Sequence, residues 1–366
     1  MQTSGPINAR KIRVLIPRLP DVAAIAPHIA RIDAARTYSN HGPLSREFSD
    51  GLSALTGAGG VTLTCNGTAA IEIALRARAN PGAGLCLMPA FTFIASAHAV
   101  CNAGLTPHLL EVDPDTLVLT PAIAEAALTE LPQAPSAVLV VSAFGAPPDL
   151  RAWAAFEDRH GIPVVFDAAA AVTALSGIGL QPVCVSLHAT KVLGIGEGGA
   201  ILSSDQALVE RMTGMTGFGF VGQERVSTVR GGNYRLSEYA AAIGLVVLDG
   251  LPEQIERLRA LTATYRQLLH NKRSRLQIGA GTDWVTMTLN AVIPPDEVEA
   301  TLTRLSEADI EWRRWWGLGC HRHPAFADVP RCDLSGTDAL APCVIGLPFH
   351  DELSEEDVWR VVSCLP

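Results

Sequence analysis

Residues 162–171 read IPVVFDAAAA, and residues 183–203 read VCVSLHATKVLGIGEGGAILS. In each, a short unbroken apolar run ends on a polar residue, Asp167 in the first and Ser186 in the second. Continuous apolar runs of this length belong to strands covered on both faces, the habit of parallel sheets between two layers of helix. A polar group at the C-terminal end of such a strand stands where open α/β sheets bind their ligands. The glycines after Lys191 fit GxGxxG, but residues 200–203 read as a strand. A dinucleotide fingerprint needs a helix there, so that reading is rejected.

Outward from this centre, apolar runs alternate with helix-length segments over residues 60–205. Residues 61–64, 84–88, 106–112, 137–143 and 163–166 read as strands. Residues 68–79, 90–103, 120–129 and 149–160 read as helices, the third opened by Thr120-Pro121, a cap followed by proline in the first turn. The alternation predicts an α/β/α layer with a mostly parallel sheet. A second region starts near residue 250, with helices at 252–270 and 295–306, a polar break at 271–274, and a strand at 284–293. A closing helix follows, with Ser354 as its cap and Glu355, Glu356 and Asp357 in its first turn. The expected organisation is a large domain over 1–250 and a smaller α+β domain over 251–366.

Composition narrows the chemistry. The 366 residues are 48% hydrophobic and 18% charged, enough apolar material for a sizeable core, and the net charge of −9 provides no basic excess for nucleic acid. Lysine occurs only at Lys11, Lys191 and Lys272. Any chemistry that needs a primary amine has three candidates, because arginine stays protonated. The eight cysteines form no CxxC pair and sit mostly in apolar runs, as free thiols do. Residues 1–20 show no apolar leader core. The most apolar stretch, 85–100, is broken by Pro89, Thr92, Ser96 and His98 and is too short to span a bilayer. A soluble, cytoplasmic protein without membrane or nucleic-acid partners is expected.

Four local features carry the functional reading. Asp167 ends a buried strand, although an aspartate there also reads as a helix cap. Lys191 lies among apolar and small residues, where desolvation lowers an amine's pKa toward that of a nucleophile; a solvated surface lysine is the bland alternative. Asn66-Gly67-Thr68 runs straight into a helix, so free N–H groups face whatever precedes it, a phosphate cradle or simply an ordinary helix start. Phe93 follows a strand end within PAFTFIAS (89–96), as a cofactor contact or as core.

In this order the four features resemble the DegT/StrS-type sugar aminotransferases. The resemblance rests on NHGPLSREFSDGL (40–52), NGTAAIEIAL (66–75), FDAAAA (166–171), SLHATKVLGIGEGG (186–199), GGNYRLSEYAAAIGLVVL (231–248) and CHRHPAF (320–326). It implies the type I fold of pyridoxal-phosphate (PLP) enzymes. Lys191 would carry the cofactor as a Schiff base and shuttle protons, and Asp167 would pair with the ring nitrogen. Gly67, Thr68 and Ser186 would hold the phosphate, and Phe93 would stack on the ring. Asn233 and Arg235 would reach the neighbouring subunit's site, which implies a homodimer with composite sites. His321, with Arg322 beside it, would lie near the substrate; Cys320, His321 and His323 are too tightly spaced for a metal site. Arg313 and Arg314 join Arg322 as candidates for anionic substrate groups, and the tryptophans of RRWW read better as small-domain core.

The chain departs from the family pattern at Ala170, where Gln or His usually approaches the ring hydroxyl, and at Leu187 and Val192. The implied activity is amino transfer, with glutamate as donor, to a nucleotide-linked keto-deoxysugar, for lipopolysaccharide, other polysaccharides or glycosylated metabolites. A regulatory PLP-binding protein and a same-fold dehydratase are the alternatives. Such dehydratases typically carry histidine at the position of Lys191.

Overall fold

The computed structural model describes residues 10–81, 84–221 and 225–366; residues 1–9, part of the stretch read above for a leader, lie outside it. Helices α1 (Val22–Ala35) and α2 (Pro43–Thr56) lead into β1 (Gly60–Thr64) and α3 (Gly67–Arg78). Strand β2 (Leu85–Pro89), α4 (Ile94–Asn102), β3 (Thr106–Leu110) and α5 (Pro121–Leu128) follow. Then come β4 (Ala137–Val141), α6 (Leu150–His160), β5 (Val164–Asp167), β6 (Val183–Ser186), β7 (Gly199–Ser203) and α7 (Gln206–Thr216). The seven strands form one sheet in the order β1-β7-β6-β5-β4-β2-β3. Strands β6 to β3 run parallel, while β7 is antiparallel to both its neighbours. The chain returns from β6 to β7 through a loop rather than a helix, so it comes back in the opposite direction.

Strands β4 to β7 are buried at every residue. Their side chains divide between two cores as the pleat demands. Val164 and Phe166 pack with Phe48 of α2 and with Trp153 and Phe156 of α6, while Val165 packs on the other face with Ile73 of α3 and Met212 of α7. This two-sided burial explains the continuous apolar runs.

The remaining elements are α8 (Glu238–Leu269), β8 (Arg275–Leu276), β9 (Leu289–Val292), α9 (Val298–Glu307), α10 (Ser335–Leu340), β10 (Val344–Leu347) and α11 (Glu355–Ser363). The last three strands form an antiparallel sheet in the order β10-β9-β8. Helix α8 does not begin at Pro252: it starts at the Ser237 cap and runs for 32 residues with Pro252 inside. Residue 250 therefore falls within a continuous helix. The expected helix at 90–103 starts only at Ile94, and the expected strand at 284–293 shortens to β9. The released residues, among them Phe93, Met287 and Thr288, line a cavity instead. The closing helix has the predicted Ser354 cap, completed by Asp357 into a reciprocal box.

Candidate active site

The C-terminal ends of β4, β5 and β6 open into a cavity of about 530 Å³. Asp167, the last residue of β5, is 6% exposed. Ser96 Oγ donates to its Oδ2 at 2.7 Å, and the Ala169 N–H donates to its Oδ1 at 3.1 Å. Burial holds the carboxyl above its ordinary range, against the opposing pull of these two bonds and of Lys191. Ser96 sits in the first turn of α4 and is bridged to Thr92 at 3.0 Å, so Asp167 is fixed by a polar chain from the neighbouring loop.

Lys191 lies in the loop between β6 and β7. That loop folds back on itself: Leu187 N–H donates to the Gly198 carbonyl at 2.9 Å, and Ala189 N–H donates to that of Gly196 at 2.8 Å. Burial pushes the Lys191 amine down, and the Asp167 charge only partly restores it. Neither other lysine is so placed. Lys11 is ion-paired with Glu311 at 2.9 Å, and half-buried Lys272 donates to the Leu365 carbonyl at 2.8 Å.

Across the cavity, Asn66 caps α3 by accepting from the Ala69 N–H at 2.8 Å. The N–H groups of Gly67 and Thr68, which open the helix ahead of that cap bond, have no partner among the described residues and are free for an anion. Gly67 is pressed against β6, where a Cβ would stand 2.9 Å from the Ser186 Cβ. Helix start and strand end thus meet as a cradle that only glycine permits. Phe93, 54% exposed, leaves a ring open on the cavity wall. An anion cradle, an open aromatic ring, a buried carboxylate and a desolvated amine around one cavity fit the phosphate, ring, ring nitrogen and aldehyde of PLP.

Gly67, Thr68, Phe93, Asp167, Ser186 and Lys191 all line this cavity. Asn233 and Arg235 do not line the cavity of their own chain. Asn233 is exposed, and half-buried Arg235 donates to its Oδ1 from Nε at 3.1 Å and from Nη2 at 2.9 Å, also reaching Asn40 Oδ1. His321 and Arg322 are drawn together outside the lining by Asp338, at 2.7 Å from His321 Nε2 and 2.9 Å from Arg322 Nε. Arg314 donates to the Pro342 carbonyl at 3.3 Å and is likewise not a lining residue, whereas Arg313 is.

Trp315 and Trp316 are not mere small-domain core, because both line the cavity. Trp316 stacks on Phe144 with ring centroids 3.8 Å apart. Phe144 holds φ at +53°, a left-handed conformation costly for a bulky residue, so packing must maintain it. His188 also reaches the lining, its Nδ1 2.8 Å from Thr190 Oγ1. Ala170 lines the cavity without a polar side chain, and Leu187 and Val192 are buried. Sequence reasoning missed Ser96 and His188 as site residues. The second had a local signal, its place in SLHATK; the first had none beyond one hydroxyl in an apolar run.

Fold and site together define an enzyme whose half-buried lysine amine shares a cavity with a buried strand-end carboxylate. Residues 22–366 match the DegT/DnrJ/EryC1/StrS aminotransferase family, and the chain belongs to it. It is 32% identical to Protein Rv3402c of Mycobacterium tuberculosis strain H37Rv, over 99% of this chain and 91% of that one. It is 26% identical to the dTDP-4-amino-4,6-dideoxy-D-glucose transaminase of Shigella dysenteriae, over 97% and 98%. A crystal structure of DesI in the presence of its TDP-sugar product matches with a TM-score of 0.86 and 30% identity, over 98% of this chain and 93% of that one.

Proposed function

We propose that this protein is a cytoplasmic, PLP-dependent aminotransferase that moves an amino group from an amino acid, glutamate in the first instance, to a nucleotide-linked keto-deoxysugar. The observation that carries the reading is the placement of Lys191 and Asp167 in one cavity with an anion cradle. The transaminase and DesI relatives support a sugar nucleotide as acceptor.

When bound, PLP supplies an aldehyde for amines and a ring that draws electrons from the carbon bearing the nitrogen. The residues of this chain do the rest. Gly67, Thr68 and Ser186 bind the phosphate, and Phe93 covers the ring. Asp167, oriented by Ser96, holds a proton on the ring nitrogen. The Lys191 amine, neutral at lower pH than an ordinary lysine, takes the donor's α-proton and returns a proton in the opposite half of the cycle. Phe144 and Trp316 wall off water. Asn233 and Arg235 complete the phosphate site of a partner subunit in a homodimer, which accounts for their place outside the cavity of their own chain. The products would feed lipopolysaccharide, other polysaccharides or glycosylated metabolites.

The test is to load the protein with PLP, add L-glutamate, and follow the visible spectrum. dTDP-, UDP- and GDP-linked keto sugars are then supplied and the products analysed. Loss of the aldehyde-form absorbance followed by an amino sugar is expected. A spectrum that no amino acid alters would instead favour a regulatory PLP-binding protein.

A further inference from the structure

The cavity must accept two different anions in turn, an amino acid and a sugar nucleotide. Apart from Lys191, Arg313 is the only lysine or arginine among its described lining residues. Its guanidinium is exposed and makes no ion pair or side-chain hydrogen bond among the described residues. Its position is nonetheless built. The Arg313 N–H donates to the Gly346 carbonyl at 3.1 Å, and the Gly346 N–H donates back at 2.7 Å. The guanidinium lies over the Trp315 ring, 5.1 Å from its centroid. Trp315 is itself seated on Gly346, where a Cβ would stand 2.1 Å from the indole nitrogen.

A planar cation fixed on an aromatic ledge, with its donors unspent, is shaped for a carboxylate. We infer that Arg313 binds the α-carboxylate of the amino donor, with Trp315 and Gly346 as positioning residues. The inference rests on the aminotransferase reading and adds the recognition element for its first substrate. The alternative source of negative charge, the diphosphate of the acceptor, is resolved by the experiment.

Wild type, Arg313→Gln, Arg313→Lys and Gly346→Ala are loaded with PLP, and the spectral change is measured against L-glutamate concentration. For Arg313→Gln the half-saturating concentration should rise roughly 10- to 100-fold, the loss of a charge-assisted pair. The limiting rate should change only a few-fold. Arg313→Lys should recover part of the loss, and Gly346→Ala should move the same curve in the same direction by displacing Trp315. The KM for the sugar nucleotide should stay within about twofold. An unchanged glutamate curve for Arg313→Gln overturns the inference, as does a rise confined to the sugar-nucleotide KM. A wild-type spectrum indifferent to every amino acid would sink the aminotransferase reading and this assignment with it; a responsive wild type beside an unaffected Arg313→Gln sinks only the assignment.

Discussion

The floor and the wall of the cavity are made differently. The floor consists of strand ends and a helix start, β5 with Asp167, β6 with Ser186, and α3 with Gly67, all brought together by sheet register. The wall comes from irregular segments, Phe144 after β4 and Arg313, Trp315 and Trp316 between α9 and α10, joined by side-chain stacking. A floor set by backbone hydrogen bonds tolerates little displacement, so its groups suit bond-making chemistry. A wall held by ring contacts can differ between relatives without moving the floor, so it suits substrate selection. Mutations in the two regions should therefore fail in different ways.

The largest effect is expected at the floor. Lys191→Ala should lower kcat by about 10⁴-fold, since it removes the proton shuttle. It should also abolish covalent cofactor after borohydride reduction, as judged by mass spectrometry. Burial lowers the Lys191 pKa, so at any pH below 10.5 its neutral, reactive fraction exceeds that of Lys11, whose pKa the Glu311 partner raises. Borohydride labelling at pH 7 to 8 should thus fall on Lys191 rather than on Lys11. Label retained in the variant would place the chemistry on another lysine. Asp167→Asn comes next, at roughly 10²- to 10³-fold in kcat with the cofactor still bound; a wild-type rate would show that the ring nitrogen is not held by this carboxylate.

The wall should fail through binding. Trp316→Ala removes the ring that stacks on Phe144, whose left-handed backbone then loses its support. A loss of about 2 kcal/mol in unfolding free energy is expected, smaller than for a fully buried tryptophan because Trp316 is only partly buried. The substrate KM should rise about tenfold while kcat changes less, since the wall contributes mainly uniform binding. Equal losses in kcat and kcat/KM would erase the distinction between floor and wall.

The same division explains what was legible in the sequence. A carboxylate at the end of VVF and a glycine between Asn66 and Thr68 announce themselves locally, because strand burial and helix starts leave patterns a few residues long. Trp315 and Trp316 carry no such pattern: an aromatic pair reads as core unless its packing partner is known, and Phe144 is 172 positions before Trp316. Ser96 lies 71 positions from the carboxylate it holds, and a long-range hydrogen bond leaves no periodicity behind. Helix α8 extends well before the expected 252–270 because proline is a strong local breaker only in isolation, and the packing of a long helix overrides it.

The smallest expected effect tests the floor from beneath. Ser96 Oγ donates to Asp167 at 2.7 Å, a bond that favours the charged carboxylate. In Ser96→Ala that bond is gone, so the Asp167 pKa, already raised by burial, rises further. The carboxylate then takes up its proton at a higher pH than before, and the acid limb of the kcat profile should move upward. At neutral pH the rate should fall about tenfold, the worth of one hydrogen bond to a charged group. Unfolding free energy should fall by about 1 kcal/mol, because the hydroxyl is replaced by a hydrogen and a buried carboxylate oxygen loses its donor. A rate loss with no movement of the acid limb would mean that Ser96 shapes the cavity rather than the charge on Asp167.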